Sequence, residues 1–227
     1  VDNRVVDLEE IAKLVRSCTK CNLWKSRTNA VPGEGPSNAK IMFIGEAPGE
    51  NEDLEGRPFV GAAGKLLTKL IEEILGLKRN EVFITNVVKC RPPNNRDPTE
   101  EEILACSPYL DSQIEVIKPK IIVTLGKHST SYIFSKASIT FTSISKVRGK
   151  WYVWKKGEGV EIKVFPTYHP AAALYNPSLR KVLEEDFRKI RSEIGKENSK
   201  GFTIEYFLGV QNRLRDKGEE GNSNGGK

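Results

Sequence analysis

Three apolar runs, Lys40–Gly45 (KIMFIG), Val82–Val88 (VFITNVV) and Lys120–Leu125 (KIIVTL), are too uniformly hydrophobic to keep a solvent face and too short to cross a bilayer. Segments of helical periodicity separate them. Ala62–Leu75 repeats Leu66, Leu67, Leu70, Ile71 and Ile74 before a stop at Gly76, and Thr99 with Glu102 forms a capping box ahead of a helix to about Ile117. Gly126 opens a further helix through Phe134, and the last runs over about Ser178–Ile194. Strands buried on both faces and alternating with helices predict a parallel sheet covered on each side. Phe141–Phe165, alternating around Gly149 and Gly157, reads as hairpin strands. An amphipathic helix over Asp7–Ser17, capped by Asp7 with Glu10 at the box position, brings Leu8, Ile11, Leu14 and Val15 to one face and delivers the chain to Cys18.

One domain over 1–194 accommodates these elements; beyond it the composition turns to Lys, Glu, Asn, Ser and Gly, which predicts a flexible tail over 195–227. The N-terminus lacks the order of a signal peptide, so the chain is expected to be cytoplasmic, without a membrane partner and monomeric. A net charge of +6 permits a polyanionic partner without establishing one. Three loops follow strands and are expected to converge at the carboxyl edge of the sheet: GEAPGENEDLEGRPFVG from Gly45, KCRPPNNRDP from Lys89, and PTYHPAA from Pro166. Cys18, Cys21, Cys90 and Cys106 are spaced C-x2-C and C-x15-C, which matches neither a zinc finger nor a two-knuckle ribbon, and four thiolates suit zinc or a [4Fe–4S] cubane alike.

Gly45–Leu67 (GEAPGENEDLEGRPFVGAAGKLL) resembles the first motif of the family-4 uracil-DNA glycosylases, Thr85–Pro93 (TNVVKCRPP) their second block, and Tyr168–Ala171 (YHPA) their histidine motif. The similarity spans about Leu8 to Ile194. It implies a three-layer α/β/α sandwich around a four-stranded parallel sheet and a [4Fe–4S] cluster on Cys18, Cys21, Cys90 and Cys106. The implied reaction is hydrolysis of the bond between uracil and deoxyribose in single- or double-stranded DNA, the first step of base excision repair. By the same resemblance Phe59 stacks on the flipped base, Asn86 reads its edge, main-chain groups of Gly45, Glu46 and Ala47 line the pocket, and His169 donates to O2. In a related family an Asp positions the attacking water. Its place here is Ala47, which leaves Glu46 first and Glu52 second as the carboxylates expected to do so.

Phosphate contacts are expected from Lys89, Arg91, Arg96, Lys127, Arg148 and Arg180, and a wedge into the duplex from Leu174 and Tyr175. His128 matches no motif and is read as structural. Within the tail, Ile204, Phe207 and Leu208 (segment 201–208) resemble a degenerate sliding-clamp motif lacking its leading Gln; an amphipathic helix packing back on the domain is the alternative. Three other functions remain open to the sequence: a non-catalytic cluster or zinc module on DNA, a glycosylase for another deaminated base, and an electron-transfer protein.

Overall fold

A computed structural model describes residues 7–157 and 159–199. Helix α1 (Leu8–Arg16) starts at Asp7, whose carboxylate accepts the Glu10 N–H at 2.8 Å; Ile11 and Val15 are buried, whereas Leu14 lies half exposed. Strand β1 (Ile41–Gly45) is followed by a short helix α2 (Glu50–Glu55), closed by Gly56 in the left-handed region. The sequence reading missed α2 because ENEDLE has almost no apolar periodicity. Helix α3 (Ala62–Lys69) runs on into a π-helical turn, Leu70–Leu75, that ends at Gly76 with φ 73°. After β2 (Phe83–Asn86) comes α4 (Glu100–Ile117), where the Thr99–Glu102 box forms in both directions. Then follow β3 (Ile121–Leu125), α5 (Lys127–Lys136), a one-turn α6 (Ile144–Val147), β4 (Tyr152–Lys155), β5 (Glu161–Thr167), α7 (Pro170–Tyr175) and α8 (Pro177–Ser199).

The strands form one sheet in the order β2-β1-β3-β5-β4. The first four are parallel, as expected, and β4 adds an antiparallel edge through its hairpin with β5. That hairpin is shorter than the alternating pattern suggests, because Ile144–Val147 is helical and only Tyr152–Lys155 pairs. All residues of β1, β2 and β3 are buried, since helices cover both faces. One core cluster gathers α1, α4 and α5 against Met42, Ile44 and Ile122; the other gathers α3 and α8 against Phe43, Val123 and Phe165. The result is an α/β/α sandwich. Strand order reverses between β1 and β3, so a crevice opens at the carboxyl ends of those strands. The tail segment with Ile204, Phe207 and Leu208 lies outside the described residues.

Candidate active site and cysteine wall

A cavity of about 360 Å³ occupies that edge, lined among others by Glu46, Ala47, Glu52, Phe59, Asn86 and His169. Gly45 ends β1 and Asn86 ends its neighbour β2, paired in register, which sets the base of the cavity. A Cβ on Gly45 would lie 2.4 Å from Asn86 Oδ1 and 2.6 Å from the Phe59 ring, so only glycine fits between them. Asn86 is 1% exposed, and its Oδ1 has no hydrogen-bond partner. Buried acceptors are nearly always satisfied, so this one points to a donor supplied by a ligand.

His169, expected in a loop, instead caps α7: Pro170 starts the helix without needing a partner for a missing N–H, and His169 Nδ1 accepts the Ala171 N–H at 3.1 Å. Accepting at Nδ1 leaves the proton of the neutral ring on Nε2. Loss of solvation lowers the His169 pKa to about 4, with Glu52 opposing it weakly, so the ring is neutral at pH 7. Its imidazole stacks on Phe59 with centroids 5.5 Å apart.

Glu46 has a different setting. Burial raises its pKa, Asp97 adds to the rise, and His128 and Lys127 pull against it. His128 Nε2 lies 3.1 Å from Asp97 Oδ2 and 3.7 Å from Glu46 Oε2, while Lys127 Nζ is 2.6 Å from Asp97 Oδ2. His128, read from the sequence as structural, therefore stands beside the first-choice carboxylate. The signal for it was the sheet order: β3 lies next to β1, so the start of α5 faces the loop after β1.

Glu52, the second choice, is already engaged by the main chain. Its Oε1 accepts the N–H groups of Val60 and Gly61 at 2.9 Å each, and its Oε2 accepts that of Gly49 at 3.1 Å. With three main-chain donors this carboxylate ties together the loop segments on either side of α2. Asp53 is spent likewise on Thr28 and Asn29.

Two of the expected phosphate contacts are also corrected. Lys89 is 1% exposed; its Nζ donates to Thr85 Oγ1, Asn86 O and Gln113 Oε1 at 2.5, 2.7 and 2.7 Å, and burial lowers its pKa to about 7. Such a group cannot reach a phosphate. Arg148 forms a two-pronged pair with the fully buried Asp186, at 3.0 and 2.6 Å, and Thr167 donates to the same carboxylate. Arg148→Ala should therefore lower stability by about 3–5 kcal/mol, the usual effect of stranding a buried charge, as read by urea unfolding. The salt dependence of DNA binding should stay unchanged, and a shallower salt slope with intact stability would restore the phosphate role.

Arg96 and Lys127 are paired with Glu102 and Asp97, and Arg91 with Asn95. Arg180 is exposed and meets Glu184 at 3.4 Å. Leu174 and Tyr175 are exposed on α7, and Tyr175, 90% exposed, stands at the cavity rim.

The four cysteines, all free thiols, line a separate small cleft where the end of α1, the loop after β2 and α4 meet. Arg27 Nη1 donates to Cys90 Sγ at 3.1 Å and the Lys89 N–H to Cys106 Sγ at 3.2 Å. Burial pushes the Cys106 thiol up to about 12, so a thiolate there calls for a compensating cation.

The family model for the Uracil DNA glycosylase superfamily matches residues 32–193, covering β1 through most of α8. The chain is 71% identical over 97% of its length to a Type-4 uracil-DNA glycosylase of Sulfurisphaera tokodaii, 99% of which is covered. The chain belongs to the type-4 branch of this superfamily. A Type-4 uracil-DNA glycosylase of Saccharolobus solfataricus is 66% identical, over 97% of this chain and 99% of that protein. One from Archaeoglobus fulgidus is 53% identical, over 83% of this chain and 94% of that protein. For a member of this superfamily, the convergence of Phe59, Asn86 and His169 on one cavity is the feature that bears on its chemistry. Arg79 and Asp97 went unmarked in the sequence and His128 was read as structural, because each acts through partners distant in the chain.

Proposed function

We propose that the protein is a monofunctional uracil-DNA glycosylase, hydrolysing the N-glycosidic bond of uracil flipped out of DNA and leaving an abasic site for base excision repair. The unpartnered Asn86 Oδ1 at the base of the cavity carries the reading. Uracil offers a donor at N3 and an acceptor at O4; the Asn86 amide offers an acceptor and a donor in the matching order, and cytosine presents the reverse.

The ring of Phe59 covers one face of the base. As the glycosidic bond lengthens, the electron pair moves onto uracil, largely to O2, where the His169 Nε2–H donates. A neutral imidazole suffices, since the departing anion needs a hydrogen bond and no full proton. Glu46 accepts a hydrogen bond from the water that adds to C1′ and takes its proton. Positive charge developing on the sugar faces that carboxylate.

We assign the half-buried Arg91 and the exposed Arg180 to DNA phosphates, with Leu174 and Tyr175 entering the gap in the stack. Cys18, Cys21, Cys90 and Cys106 would hold a [4Fe–4S] cluster, supported by their convergence on one cleft and the N–H donors from Arg27 and Lys89. When bound, it supplies a cross-link between α1, the loop after β2 and α4. The setting is intracellular; no described helix is long and apolar enough to cross a membrane.

The test is incubation of the purified chain with oligonucleotides carrying one uracil, thymine or cytosine, followed by alkali. Strand cleavage at uracil alone is expected. An intact uracil strand with cluster-replete protein would overturn the assignment and favour a non-catalytic DNA module.

A further inference from the structure

Phe59, at the cavity, has its backbone in the left-handed region, at φ 52°. That conformation is unfavourable for an aromatic residue, so the surroundings must impose it. Two devices do. Gly64 leaves space for the turn, since a Cβ there would fall 1.9 Å from the Phe59 carbonyl. The second is Arg79, which precedes β2. Its Nη2 donates to Pro58 O at 2.5 Å and its Nη1 to Phe59 O at 3.0 Å and to Thr68 Oγ1 at 2.9 Å. Nε completes the fork on Glu34 Oε1 at 2.9 Å.

Glu34 is itself fixed to the sheet: its backbone exchanges both hydrogen bonds with Ile84 of β2, at 3.0 and 2.8 Å. Its carboxylate also accepts from Arg57. Burial works against the charged form of Glu34, but the two guanidinium groups outweigh it and hold its pKa low. The chain of contacts thus runs from the edge of β2, through Glu34 and Arg79, to two successive carbonyls of the turn that aims the Phe59 ring.

We propose that Arg79, seated on Glu34, is a positioning residue for base recognition: it clamps the Pro58–Phe59 turn so that the ring stands parallel to the plane a flipped pyrimidine would occupy. The inference rests on the reading of Phe59 as the stacking residue. Lysine can reach one carbonyl as a point donor but cannot span two in a plane, so the fork is what matters. Because stacking acts on bound substrate and transition state alike, loss of the clamp should appear chiefly in KM.

The experiment is a double-mutant cycle on a uracil-containing single strand, with Arg79→Ala, Phe59→Ala and both together. Each single change is expected to lower kcat/KM about tenfold or more, with the larger part in KM, and Arg79→Lys to recover part of the loss. In the Phe59→Ala background, Arg79→Ala should have no further effect. Equal losses in both backgrounds, or an Arg79→Ala enzyme with wild-type KM, would overturn the clamp. Should Arg79→Ala fail to fold, Glu34→Gln tests the same link and must raise KM in the Phe59 background only. An inert Phe59→Ala change would instead sink the stacking assignment on which the clamp rests.

Discussion

Replacing His169 with alanine should lower kcat by roughly 10²–10³, the effect of removing one preorganised donor to a developing oxyanion, while KM for a uracil-containing strand moves little. The reason is timing: the Nε2–H meets only modest charge on O2 before the bond breaks and strong charge afterwards. Single-turnover cleavage measures it. A loss confined to KM would show that His169 merely holds the base.

The same residue makes a pH prediction. With a folded pKa near 4, against an ordinary value of about 6.5, its ring stays a neutral donor across the range in which free histidine would titrate. The acid limb of kcat should therefore belong to Glu46, which must be ionised to accept from water and whose pKa is raised by burial first and by Asp97. It should fall above the pH expected of an ordinary glutamate, and Glu46→Gln should flatten it. Stability behaves differently. Below about pH 6.5 the unfolded chain protonates His169 while the folded chain does not, so this residue's contribution is complete above 6.5 and is lost as pH falls toward 4. Urea unfolding of His169→Ala should lack that increment.

The second large effect is expected at Asn86. Asn86→Asp leaves the shape intact but replaces a donor–acceptor pair with two acceptors. Uracil O4 then faces a carboxylate oxygen, and by the behaviour of sites built around a specific hydrogen bond, uracil cleavage should drop by roughly 10³-fold or more. Cytosine, whose exocyclic amine donates, should gain relative to uracil. Cleavage of matched uracil and cytosine strands measures the ratio. An unchanged ratio would mean that the main chain, and not the amide, reads the base edge.

Much of this arrangement was written locally. Thr99 with Glu102, Asp7 with Glu10, and Gly76 each mark a helix end through contacts within five residues, so the sequence displays them directly. The blocks around Gly45, Asn86 and His169 were legible for the same reason: each is a strand end plus the few residues that follow. What escaped were partnerships across the chain. Nothing near Arg148 announces Asp186, 38 residues on, and nothing near Arg79 announces the turn at Phe59. Glu52 looked available because its three main-chain donors come from both sides of α2, a helix too polar to be read. His128 acquired a role only once the sheet order set β3 against β1. Lys89 carried a clue in its neighbours Val87, Val88 and Cys90, all buried, since a lysine in so apolar a run has little route to solvent.

Lys89 also carries a consequence of its own. Its main-chain N–H points at the Cys106 sulfur, while its ammonium grips the carbonyl of Asn86, three residues earlier. A single residue thus links the wall of sulfurs to the backbone that carries Asn86 at the base of the cavity. For anyone reshaping this scaffold, redesigning the cysteine wall and retuning base choice are one engineering problem, joined at a residue that touches neither solvent nor substrate.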